Sequence, residues 1–202
     1  MKERPFDTID CPEGGEKEKK NGRVEWSLLK ESRTILISDA VDRGLMEKTV
    51  AKLLFLDSQD KKAPITVFVN SPGGDADSGF AIYDVMKYVE APVRTVCAGL
   101  CASAGVVIYL GGDKGSRYSL PHSRFLIHQP STGTQGQASD IEITAKEIIK
   151  TRDKYNQIVS DETGVDAAKI TKDANRDFWL SAVEALEYDL VDKVIVSEKE
   201  LG

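Results

Sequence analysis

The chain has 202 residues, 41% of them hydrophobic and 30% charged, the make-up of a single globular domain with a sizeable core. Its net charge of −6 argues against a nucleic-acid binder, which would need a basic face. No apolar run reaches the roughly 18 residues of a membrane span, and the opening MKERPFDTIDCPEGGEKEKK lacks the apolar core of a signal peptide.

Residues 1–24 are rich in charge, Gly and Pro and are expected to form a flexible N-terminal arm, ahead of one domain over 25–202. Thr34-Ile35-Leu36-Ile37-Ser38 reads as a strand. Met46, Val50, Leu53 and Leu54 recur at helical spacing and place a helix over 46–56. Ile65 to Val69 is a second strand running into Asn70-Ser71-Pro72-Gly73-Gly74, and a helix over about 78–89 follows. Val93 to Ala98 supplies the next strand. A further helix is expected after Ala102-Ser103-Ala104-Gly105, and Phe125-Leu126-Ile127 forms a strand that hands over to His128. This alternation implies an α/β fold with a mostly parallel sheet, whose ligands gather at the carboxyl ends of the strands. The Gly73-Gly74 turn and Ser103 both fall at such ends.

A polar link, Ser131 to Gln137, then leads into a long helix over about 138–161. Its apolar positions, among them Ile141, Ile148, Tyr155 and Ile158, are too sparse for a fully buried helix. It either packs within the domain or lies against another subunit. A short helix (166–172), Arg176-Asp177-Phe178-Trp179-Leu180, a helical turn (182–187) and a strand (190–196) complete the chain.

Cys11, Cys97 and Cys101 form no even disulfide framework, and the last two read as buried, reduced thiols. With His122 and His128 the only histidines, no zinc site is expected. A reduced, cytoplasmic protein without metal or cofactor is the expectation.

Ser103, at a helix start among small residues, is placed to act as a nucleophile, because unpaired N–H groups of the first turn can face developing negative charge. The setting is not a G-x-S-x-G elbow, since Cys101 stands where the first glycine would be. A serine nucleophile needs a base, and the base needs an orienting group. His122 sits in a turn-like, solvent-facing context, whereas His128 ends an apolar strand. Spacing alone leaves the acid open, for 33 acidic residues compete and Asp177 is one of them.

The blocks Asn70-Ser71-Pro72-Gly73-Gly74, Ala102-Ser103, Leu120-Pro121, Ile127-His128-Gln129-Pro130, Gly136-Gln137-Ala138 and Arg176-Asp177 resemble the signatures of the ClpP family, the proteolytic subunits of the Clp protease. The likeness runs from about Leu28 to Val196. It implies a Ser-His-Asp serine endopeptidase with Ser103 as nucleophile, His128 as base and Asp177 as orienting acid. Gly74 and Ala104 match the positions whose N–H groups form the oxyanion hole. Asp75, Ala76 and Ser131 match those that hold substrate as an added strand. The implied fold is the crotonase-like arrangement of stacked βαβ units, with a protruding helix-strand handle over about 131–161. Two heptameric rings would stack through the handle, and Arg176 would pair across the ring interface. An AAA+ unfoldase such as ClpX, ClpA or ClpC would dock on an apolar pocket matched by Leu54, Phe68 and Tyr88 and deliver unfolded polypeptides. The N-terminal arm, and Thr66 where the family commonly has an aromatic, motivate an alternative. In it, the chain is a ring-assembling paralogue that mainly modulates a second ClpP-type subunit in a hetero-oligomer.

Overall fold

Three β-branched, apolar segments set the frame: strands β1 (Thr34–Ile37), β2 (Ile65–Ser71) and β3 (Val93–Ala102) pair in parallel in that order. The computed structural model describes residues 16–131, 133 and 135–201. Cys11 and most of the expected arm lie outside them. The arm's last residues do not remain irregular, because helix α1 spans Glu16–Ser32. Leu29 anchors it in the core, and the Trp26 ring lies 6.0 Å from Phe55.

Helices α2 (Arg43–Gln59) and α3 (Ala76–Tyr88) form the crossovers between these strands. Each starts at an aspartate whose carboxylate accepts a first-turn N–H, Asp42 from Leu45 at 2.7 Å and Asp75 from Ser78 at 2.9 Å. These are side-chain caps that satisfy orphan helix donors. Asp42 explains why α2 begins three residues before the first periodic apolar residue, Met46.

β3 runs four residues beyond its expected end at Ala98, and it serves two layers. Its first half pairs with β4 (Arg117–Ser119), its last three residues with β5 (Arg124–Ile127). Between them the register against β2 shifts, so that Val69 faces Cys97 but Ser71 faces Cys101. Gly99 sits in this bulge at φ 115°, where a Cβ would meet Asn70 Oδ1 at 2.8 Å, a conformation and an approach open only to glycine. Cys97 and Cys101 are buried and free.

Helix α4 (Ala104–Leu110), buried along its whole length, follows β3. β5 then pairs antiparallel with β6 (Phe178–Ser181), and β4 pairs in parallel with β7 (Lys193–Val194). β7 is shorter than the expected 190–196 strand because Leu190 and Val191 N–H both donate to Ala185 O. That bond closes the end of helix α7 (Ala182–Glu187) in place of a sheet ladder.

Helix α5 (Ala138–Thr163) is buried only at Tyr155, Asn156, Val159 and Thr163. Its first four turns are mostly exposed among the described residues, with Ile148 and Thr151 half-buried and Ile141, Ile143 and Ile149 42–61% exposed. The buried end is held by charge. Glu162 receives Arg117, Lys87 at 3.1 Å and the Tyr83 hydroxyl at 2.7 Å. Gly164, left-handed at φ 79°, stops the helix, and α6 (Ala167–Asp173) follows. No described helix is long and apolar enough to cross a membrane.

Candidate active site

Ser103 occupies the one-residue turn between β3 and α4, at φ 55° and ψ −123°. A non-glycine residue in this region stores about 1–3 kcal/mol of backbone strain, and the surroundings enforce it. Ser103 N–H donates to Leu126 O of β5 at 2.9 Å, and its carbonyl accepts Val106 N–H at 2.9 Å. The hydroxyl caps nothing in the helix it precedes. Behind the turn lies Gly73, at φ 86°. A Cβ there would fall 2.6 Å from Ser103 Cβ and 3.0 Å from Ala104 N.

The glycine turn is itself pinned. Val41 N–H donates to Gly73 O at 2.9 Å, and Asp75 N–H donates to Val41 O at 2.7 Å. Peptide groups alternate along extended chain, so Gly74, between these two bonded residues, turns its own N–H away from Val41. A Cβ on Gly74 would meet Val41 O at 2.2 Å, which restricts this position to glycine.

His128 follows β5 and Asp177 precedes β6. Because Ile127 faces Phe178 in the antiparallel register, the two candidate side chains leave the ladder at the same end. His128 Nδ1 lies 3.8 Å from Asp177 Oδ1, with the side chains 29% and 66% exposed. That is within ion-pair reach and beyond a hydrogen bond. The loops carrying them are tied together by Gln129, whose N–H donates to Ala174 O at 3.1 Å and whose amide donates to Asn175 Oδ1 at 2.8 Å.

One cavity of about 440 Å3 is lined by Ser103, His128, Gly74, Ala104, Asp75, Ala76 and Ser131. Seven of the residues singled out from sequence thus meet in one place. Asp177 and Arg176 border a neighbouring cleft that also touches His128, and Arg176 is exposed. His122 is exposed in a turn after β4, away from this cavity's lining. The sequence reading missed the cavity's far wall, which includes Phe80 from α3, Val107 from α4, and Ile148, Thr151 and Tyr155 from α5. The last three repeat at three, four and seven residues, so they share one helix face. That spacing was the available signal.

Tyr155 is notable chemically. Its hydroxyl is fully buried and has no hydrogen-bond partner, the only such side-chain atom among the described residues. Burial, with the Cys101 thiol nearby, pushes its ionisation far above the ordinary range. It is a neutral donor.

Of the three docking candidates, Phe68 lines a groove whose lining does not include Leu54 or Tyr88. This separate groove, of about 680 Å3, is also bordered by Leu36, Thr66, Val96, Leu120 and, near the C-terminus, Ile195, Val196 and Leu201. Leu54 on α2 and Tyr88 at the end of α3 are exposed elsewhere, at 44% and 79%.

A forked, mostly parallel sheet with helices packed against it defines the ClpP/crotonase-like class of α/β folds, and here it brings a strained serine and a histidine into one cleft. Within it the chain belongs to the Clp protease family, whose model matches residues 16–198, and it is therefore a peptidase, a hydrolase of peptide bonds. It is 47% identical over 171 residues to an ATP-dependent Clp protease proteolytic subunit 2 from Treponema pallidum, covering 85% of this chain and 86% of that one. It is 50% identical over 168 residues to an ATP-dependent Clp protease proteolytic subunit 1 from Salinibacter ruber, covering 83% and 72%. A solved structure of a ClpP1 mutant from Listeria monocytogenes superposes with a TM-score of 0.82 at 39% identity, covering 89% of this chain and 99% of that one.

Proposed function

We propose that the chain is the serine endopeptidase subunit of a ring-shaped, chambered protease. The observation that carries this is the convergence of Ser103, His128, Gly74 and Ala104 on one cavity. Ser103 Oγ attacks the substrate carbonyl carbon while His128 takes its proton. The tetrahedral oxyanion lies against the Gly74 and Ala104 N–H groups, each such donor being worth about 3 kcal/mol of transition-state stabilisation. The imidazolium then protonates the leaving amine, and water repeats the sequence to release the acyl group. Asp177 orients the Nδ1–H of His128. The extended segment after Gly74 and the one at Ser131 flank the substrate, which binds as an added strand.

Two stacked heptameric rings fit the exposed isoleucines of α5 and its largely uncovered first turns. In this reading an AAA+ unfoldase threads polypeptide into the chamber and ATP is consumed there, which accords with the ATP-dependent relatives. The decisive experiment is incubation with a fluorophosphonate followed by intact-mass measurement. One adduct per subunit, lost in Ser103→Ala, is expected. An adduct that persists in the variant would displace Ser103 as nucleophile.

The 3.8 Å gap between His128 and Asp177 favours a second reading, a subunit completed or employed only in a mixed ring with another ClpP-type chain. Native mass spectrometry separates the two. A stable homo-oligomer that takes up the label excludes the mixed-ring reading.

A further inference from the structure

The cavity around Ser103 carries a fixed charge of one sign. Asp75 lines it, and among the described residues no lysine or arginine does. This carboxylate is not a loose surface group. Its backbone N–H is bonded to Val41 O at 2.7 Å, and Oδ2 accepts Ser78 N–H at 2.9 Å. The side chain therefore holds one rotamer beside the nucleophile, and a partner need not order it. Asp77, in the first turn of the same helix, adds a second negative charge nearby. Behind the wall residue Phe80, the Lys154 ammonium lies 4.1 Å from the ring centre and is engaged by that π face.

We infer that Asp75 is a specificity determinant. It makes the cleft favour polypeptide segments with a lysine or arginine beside the scissile bond and disfavour those with aspartate or glutamate there. The inference rests on the peptidase reading of this cleft. A preordered carboxylate meets a cationic side chain without losing its own rotamer freedom and repels an acidic one, so the two effects add in the ratio. Because the carboxylate is partly solvated, the expected discrimination is modest. Each effect lies within the range for exposed ion pairs, about three-fold, and together they give about ten-fold between lysine and glutamate.

The test separates binding from chemistry. Full-length Ser103→Ala protein, and the same protein with Asp75→Asn, are titrated with three labelled peptides that differ only in Lys, norleucine or Glu beside the bond cut in the parent peptide. Asn keeps the helix cap, so the fold is preserved, and the norleucine peptide serves as reference. In Ser103→Ala the Lys peptide should bind about ten-fold more tightly than the Glu peptide. The ratio should shrink to about two-fold with Asp75→Asn, and likewise in 0.5 M salt, where the Debye length falls to about 4 Å. A ratio near one in the parent, or one unchanged by Asp75→Asn, overturns the inference. Hydrolysis of the norleucine peptide by the wild-type protein is followed in parallel. Its absence would refute stand-alone activity of this subunit and favour the mixed-ring reading, while the binding ratio would still decide the role of the charge.

Discussion

Replacing Glu162 by Gln should destabilise the protein by about 3 kcal/mol, although residue 162 touches neither Ser103 nor its cavity. The carboxylate is 9% exposed and faces Arg117, itself 1% exposed. Arg117 also donates to Gly112 O and to the Glu162 carbonyl, both at 2.9 Å. In Glu162→Gln the guanidinium keeps its burial and its carbonyl partners but loses the one carboxylate it pairs with among the described residues. Removing one partner of a buried pair typically costs about 3–5 kcal/mol, and the lower figure applies because Lys87 gains freedom to reach solvent. With a urea m-value of about 2 kcal/mol/M, the midpoint should fall by about 1.5 M at fixed protein concentration. The double variant Arg117→Met/Glu162→Leu, which removes both charges and keeps volume, should recover most of the loss. The pH dependence is a second readout. Burial pushes the Glu162 carboxyl upward, but the Tyr83 hydrogen bond, the Arg117 charge and the bond and charge of Lys87 outweigh it, so the net shift is downward. A folded-state value below the unfolded one stabilises the protein above the unfolded pKa, and this contribution is lost as pH falls through the folded value. Wild type should therefore lose this stability below about pH 4.5, the ordinary range for Glu, and Glu162→Gln should show a flatter acid limb. A midpoint shift below about 0.5 M, or a double variant no better than the single one, would refute the account.

Three other outcomes follow from the geometry. Gly73→Ala forces a Cβ to 2.6 Å from Ser103 Cβ at φ 86°. It should cost about 2 kcal/mol or more and abolish fluorophosphonate labelling, as read by thermal melting and intact mass. Tyr155→Phe removes a buried hydroxyl that bonds to nothing, so stability should hold or rise by about 1 kcal/mol; a loss of that size would reveal an unseen partner. Asp166→Ala removes the carboxylate that accepts Ala168 and Lys169 N–H at 2.9 and 3.2 Å. It should cost about 1 kcal/mol, measured by chemical denaturation, with labelling of Ser103 retained.

The βαβ frame was legible because its signals are local. Val67 and Val69 mark a strand wherever they occur, and Pro72-Gly73-Gly74 must turn. Ser103 and His128 were legible for the same reason, each standing at the end of an apolar strand. β4 escaped notice because its stabilising residue, Arg117, looks like a solvent-facing charge until Glu162, forty-five positions later, is folded against it. The fork in β3 was hidden too. It depends on Gly99 N–H reaching Ser123 Oγ and Leu100 N–H reaching Asn70 Oδ1, partners distant in sequence. Asp177 lay between these cases. Its neighbours gave it no periodic signature, and only its register opposite His128 distinguishes it from the other carboxylates.

That register also bears on time. His128 and Asp177 extend from the end of a paired antiparallel ladder, and a ladder moves only in whole-residue steps of about 3.3 Å. The distance between Nδ1 and Oδ1, 3.8 Å, exceeds the usual hydrogen-bond length by less than about one ångström, well short of one such step. Closing the proposed triad therefore needs a small side-chain swing, of the kind that takes picoseconds to nanoseconds, and no strand slippage on the microsecond-to-millisecond scale. Any lag before full activity should then track the rate at which subunits find one another. It should shorten as protein concentration rises and vanish in subunits that are already associated.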